Sequence, residues 1–105
     1  MEYEVNEQSL TVYLEGELDH HTLRTVSREL AEKLDLLLPK QLVLDMRRVR
    51  FMDSSGIALV IKALRRMDEL AGSVTLRAVP PAPLRILTMA GVERHIRIEE
   101  GETAV

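Results

Sequence analysis

Arg50-Phe51-Met52-Asp53-Ser54-Ser55-Gly56-Ile57 carries an apolar strand straight into an amphipathic helix, with Asp-Ser-Ser-Gly at the junction. Beyond it, Ile57, Val60, Ile61, Leu64 and Met67 recur at helical spacing as the inward face. Lys62, Arg65, Arg66 and Glu69 form the wet face, and Gly72 supplies a C-terminal stop. A serine on the first turn of a helix faces free backbone N–H groups and the positive end of the helix dipole, so an added phosphate is tolerated there. A plainer role accounts for the same residues. Asp53 or Ser54 simply caps the helix, as Asp and Ser do at many helix starts.

Working outward, the same alternation of strand and helix recurs. Upstream, Met1, Tyr3 and Val5 alternate with Glu2 and Glu4 as a half-exposed edge strand. Asn6-Glu7-Gln8-Ser9 turns into a second strand with Leu10, Val12 and Leu14 on one face, giving an antiparallel hairpin. Asp19 is placed to cap a helix built on Leu23, Val26, Leu30, Leu34 and Leu37, which Pro39 closes. Gln41 to Met46, with Leu42, Val43 and Leu44 consecutive, reads as a strand buried on both sides. Downstream, Val74, Leu76 and Ala78 predict a fourth strand. Pro80, Pro81 and Pro83 form a stiff entry to a short helix from Leu84 to Ala90, stopped at Gly91. Ile96 and Ile98 suggest a last strand, and a polar tail follows from Glu99. The expected fold is α/β: one domain over residues 1–105, with a mainly parallel sheet and right-handed crossovers.

Composition narrows the function. A chain of 105 residues supports one core, and 46% hydrophobic content with only two Tyr and one Phe makes that core aliphatic. Without Cys there is no disulfide, thiol nucleophile or Cys-ligated zinc. The start has no basic region followed by an apolar run, and no apolar stretch approaches the ~20 residues that span a bilayer. A formal charge of −3 argues against general affinity for nucleic acid or anionic membrane. The expectation is a cytoplasmic domain that needs no cofactor.

A second block, Glu15-Gly16-Glu17-Leu18-Asp19-His20-His21-Thr22, invites a metal or catalytic reading. Adjacent histidines at a helix start point about 100° apart, whereas zinc ligands sit at i, i+4 or across elements. His95 is the one other histidine. A hydrolase using Ser54 lacks the Gly-x-Ser-x-Gly elbow and an evident oxyanion loop. The plainer reading of the block is a solvated helix start with Asp19 as its cap.

Taken together, Gly-Glu-Leu-Asp-His-His-Thr and Phe-Met-Asp-Ser-Ser-Gly resemble the STAS-domain anti-sigma factor antagonists, most closely those of the sporulation type. The resemblance runs from about Val5 to about Ile98 and implies successive β–α turns behind an antiparallel N-terminal edge strand. It implies that Ser54, the first serine after the aspartate, is the phosphorylated residue. It also makes Glu17, Asp19, His20, His21, Asp53, Ser54, Ser55 and Gly56 a partner-binding surface. Both Gly16–Thr22 and Met52–Gly56 follow strands, so they are expected at the same end of the sheet. Asp53 is open to three roles: helix cap, orienter of the serine hydroxyl, or recognition by a kinase. Gly56 has two compatible roles: it lets the helix start pack tightly against the sheet, and it leaves Ser54 open to a kinase.

The resemblance further implies a binding module and kinase substrate, not an enzyme. The unphosphorylated form binds an anti-sigma factor that is also a serine kinase and so releases a sigma factor. Phosphorylation of Ser54 breaks that complex, and a metal-dependent serine phosphatase restores it. The rival is a non-enzymatic STAS scaffold subunit of a stress-signalling or lipid-transport assembly. Arg47, Arg48 and Arg50 depart from the sporulation-type pattern. They form either a solvated strand end or a cluster that reaches an acidic partner, a nucleotide phosphate or phospho-Ser54.

Overall fold

Alternation of apolar and polar residues along Ser9–Leu18 gives a strand that buries Leu10, Val12, Leu14 and Leu18, each side chain contributing roughly 1.5–3 kcal/mol on leaving water. In the computed structural model, which describes residues 1–101, this is strand β2 of a five-stranded sheet. The chain runs β1 (Glu2–Asn6), β2 (Ser9–Leu18), α1 (His20–Leu37), β3 (Gln41–Met52), α2 (Ser54–Glu69), β4 (Ser73–Val79), α3 (Pro81–Met89) and β5 (Arg97–Glu100). A single 3-10 turn, Val92–Arg94, precedes β5. Sheet order is β1-β2-β3-β4-β5; β1 is antiparallel to β2 and every other pair is parallel. Each crossover advances one strand in the same direction, so the right-handed rule leaves the helices on one face. Helix α2 accordingly packs between α1 and α3.

The one-sided stacking corrects the expectation for β3. It is longer than Gln41–Met46, and among the described residues its helices lie on one face. Leu42, Leu44 and Met46 are buried beneath the helices, while Val43 on the other face is half-buried. Asp45 shares that open face yet is only 6% exposed, because Arg77 of β4 closes over it with Nη2 at 2.9 Å and Nε at 3.0 Å from Oδ2. The second carboxylate oxygen accepts the Arg47 N–H at 3.0 Å. The edge strand differs too: Tyr3 and Val5 remain exposed, and Lys33 of α1 lies over the Tyr3 ring at 4.7 Å.

Helix α2 is rolled relative to its expected face. Leu59, Val60, Ala63 and Met67 are buried, Ile57 and Leu64 are half-buried, and Ile61 is exposed. Its end is a Schellman turn in which Ala71, not Gly72, takes the left-handed conformation at φ 57°. The Gly72 N–H closes that turn onto the Met67 carbonyl at 2.8 Å. Gly72 is required for a different reason, because a Cβ there would meet the Lys40 carbonyl oxygen at 2.6 Å. Helix α3 begins at Pro81 rather than Leu84, with Pro80 at the N-cap and Pro81 and Pro83 inside the first turn, where missing N–H groups cost nothing. The polar tail starts later than expected. Glu99 and Glu100 belong to β5, and residues 102–105 of the expected tail lie outside the described residues.

Candidate functional site

The two blocks singled out in the sequence are not loops. Gly16–Thr22 is the bulged end of β2 followed by the first turn of α1, and Met52–Gly56 is the end of β3 followed by the first turn of α2. One residue joins strand to helix in each case. Those residues are Asp19 and Asp53, both extended with φ −103° and both the N-cap of their helix. Because β2 and β3 are parallel and Leu18 registers with Met52, the two aspartates stand side by side at the same end of the sheet. The Asp53 N–H donates to the Leu18 carbonyl at 3.3 Å and ties the two junctions together.

Asp19 closes a capping box. Its Oδ1 accepts the Thr22 N–H at 2.9 Å, and the Thr22 hydroxyl oxygen accepts the Asp19 N–H at 3.2 Å. The same hydroxyl lies 2.6 Å from the Glu17 carbonyl oxygen, to which it donates. These bonds, first the Thr22 N–H and then the Thr22 side chain, hold the Asp19 carboxyl below its ordinary pKa of 3.8. Gly16 makes the approach possible at φ 77°, where β2 shifts register against β3.

Asp53, and not Ser54, caps α2: its Oδ1 accepts the Ser55 N–H at 2.8 Å. Ser54 is thereby the first helical residue, exposed, with the N-terminal end of α2 behind it. Ser55 is half-buried. Gly56 is buried against Met52, and a methyl group there would overlap the Met52 side chain, which accounts for the glycine by close packing.

The remaining candidates divide. His20 lines a groove between α1 and α2 together with Ser55, which brings it to the serine side of the junction. His21 turns the other way, into a hollow with Met1, Glu2 and Tyr13. Glu17 lies in a third hollow with Arg48 and Arg50, and Arg48 pairs with Glu2 at 3.4 Å. The arginine cluster of β3 thus sits among acidic neighbours. Among the described residues no group of three or more His, Asp or Glu side chains is arranged to hold a metal ion. One feature that the sequence reading did not single out is Phe51, 51% exposed immediately before Met52 at the strand–helix junction.

The sheet thus carries its helices on one face and presents an exposed serine at the start of α2, beside an open groove between α1 and α2. The STAS domain model matches residues 1–104, and the chain belongs to that family. It is 30% identical over 102 residues to the anti-sigma F factor antagonist of Paenibacillus polymyxa, covering 97% of this chain and 87% of that protein. Its fold matches the anti-sigma factor antagonist SpoIIAA in its unphosphorylated form with a TM-score of 0.82, at 24% identity over 92% of this chain and 85% of that one. Phosphorylated SpoIIAA of Bacillus matches with a TM-score of 0.74, again at 24% identity, over 92% of this chain and 88% of that one.

Proposed function

We propose that this chain is an anti-sigma factor antagonist whose unphosphorylated form binds an anti-sigma factor with serine kinase activity, and whose Ser54 is the phosphorylated residue. The observation that carries the reading is the joined pair of aspartate-capped helix starts, which leaves Ser54 exposed directly after Asp53, while His20 and Ser55 line the adjoining groove. Relatives named as anti-sigma F factor antagonists support it. The domain acts by binding, in the cytoplasm, and the kinase and a metal-dependent phosphatase supply the chemistry.

Physical chemistry favours a switch of this kind. A phosphate adds about −1.5 to −2 charge, and the start of α2 tolerates it, so the fold survives. The same charge desolvated at an interface built around a neutral hydroxyl costs about 2–5 kcal/mol, on the order of 30- to several-thousand-fold in affinity. Asp19, His20, Asp53, Ser54 and Ser55 form the centre of the contact, with Gly56 as the packing residue beneath. Glu17 and His21 contribute from its flank.

Incubation with the cognate kinase and ATP, followed by peptide mass spectrometry, tests the assignment. One phosphate on Ser54 is expected, with none in Ser54→Ala, which keeps its affinity for the kinase. Phosphate on Ser55, or none at all in the wild type, would contradict it; the latter result favours the scaffold role.

A further inference from the structure

The seam between α1 and α2 is not evenly closed. At its lower end Arg66 bonds Asp35 at 3.1 Å and bridges the helices. Toward the helix starts it opens into a groove of about 550 Å³. Small side chains keep it open: Ser27 and Ala31 on α1, Ser55 and Ala58 on α2, above an apolar floor of Leu23 and Leu59. Its rim is cationic, with Arg24 and Arg28 on one side and Lys62 on the other, and the His20 ring stands at the mouth. Among the described residues, no acidic side chain lines it. Among the described residues, none of Arg24, Arg28 and Lys62 has a carboxylate within salt-bridge distance. Arg24 and Arg28 stand at i, i+4, where like charges repel. This concentration of cations lies on a chain whose net charge is −3.

From this geometry we infer that the α1–α2 groove is the docking site for an acidic amphipathic helix of the anti-sigma factor. The inference rests on the antagonist reading and names the chemistry of its partner. Apolar floor and cationic rims match the two faces of such a helix. A nucleic acid strand fits less well, since among the described residues no Phe, Tyr or Trp lines the groove for a base to stack on. Ser55 stands in the groove wall and Ser54 immediately precedes it. A phosphate on Ser54 therefore adds negative charge beside the mouth through which an acidic helix docks.

The test measures binding of the unphosphorylated chain to its anti-sigma factor by surface plasmon resonance. The triple variant Arg24→Glu/Arg28→Glu/Lys62→Glu is expected to lose at least ~30-fold in affinity, much of it in association rate, while the matching triple Gln variant shows an intermediate loss. Wild-type affinity should fall about tenfold as salt rises from roughly 0.05 to 0.5 M, and the Glu triple should respond little. Arg85→Glu/Arg94→Glu, away from the groove, should stay within about twofold. Circular dichroism melting curves confirm that each variant is folded. If the folded Glu triple binds within about threefold of wild type, or if vesicles of phosphatidylserine bind as tightly as the anti-sigma factor, the acidic-helix site is overturned while the antagonist reading stands. If the wild type does not bind the anti-sigma factor at all, that reading fails and the docking site falls with it.

Discussion

Asp53 carries two burdens that a single substitution can separate. Its carboxylate accepts the Ser55 N–H and starts α2, while its side chain sits beside the serine expected to be modified. Asparagine caps helices about as well as aspartate, so Asp53→Asn should change stability by less than ~1 kcal/mol in urea unfolding. If the charge serves recognition, phosphorylation rate or partner affinity should drop by a much larger factor than that stability change allows. Small and equal effects on stability and binding would reduce Asp53 to a cap. At this scale the sequence was informative about identity and silent about direction. Aspartate before a helical run announces a cap, but whether Asp53 or Ser54 would fill that role depended on one φ/ψ choice. Nor does helical spacing by itself say that His20 faces the serine and His21 faces β1: that follows only once α1 is docked.

Helix α1 offers the corresponding test one level up. Its first turn is held by the reciprocal bonds of Asp19 and Thr22, and these bonds lower the Asp19 pKa from 3.8. A carboxyl depressed in the folded state adds stability that is fully present above its unfolded value and is lost as pH falls through the folded one. The melting temperature of wild type should therefore exceed that of Asp19→Asn by a constant margin near neutral pH. The margin should shrink as pH drops below 3.8. A margin that is unchanged or grows in acid would contradict the capping-box account. Element order and type were legible because each apolar run carried its own period and punctuation. What was not legible was the face. Three consecutive apolar residues in β3 look buried on both sides, yet Val43 lies on a face that no helix among the described residues covers. The roll of α2 likewise follows from where α1 and α3 press on it, which no single-helix pattern contains.

Across the whole molecule, parallel register is what turns two separated blocks into one site. Leu18 opposite Met52 forces both strand ends, and with them both aspartate-capped helix starts, to the same edge of the sheet. Their juxtaposition was readable in advance, since strands followed directly by helices in a parallel sheet emerge at one end. The cationic groove was not readable, because Arg24, Arg28 and Lys62 look like ordinary wet-face residues until two helices bring them together. The arginines that did stand out, Arg48 and Arg50, lie among Glu2, Glu15 and Glu17 instead. The central claim is that charge at Ser54 changes binding and leaves the fold intact. It is tested most directly by the affinity for the anti-sigma factor of the unphosphorylated and the Ser54-phosphorylated protein, measured side by side with their melting temperatures. The account predicts a loss of at least ~30-fold on phosphorylation, a smaller loss in Ser54→Asp with its single charge, and near-equal melting temperatures. Equal affinity in the two forms, or a phosphorylated form whose weaker binding is matched by a collapse in melting temperature, would contradict it.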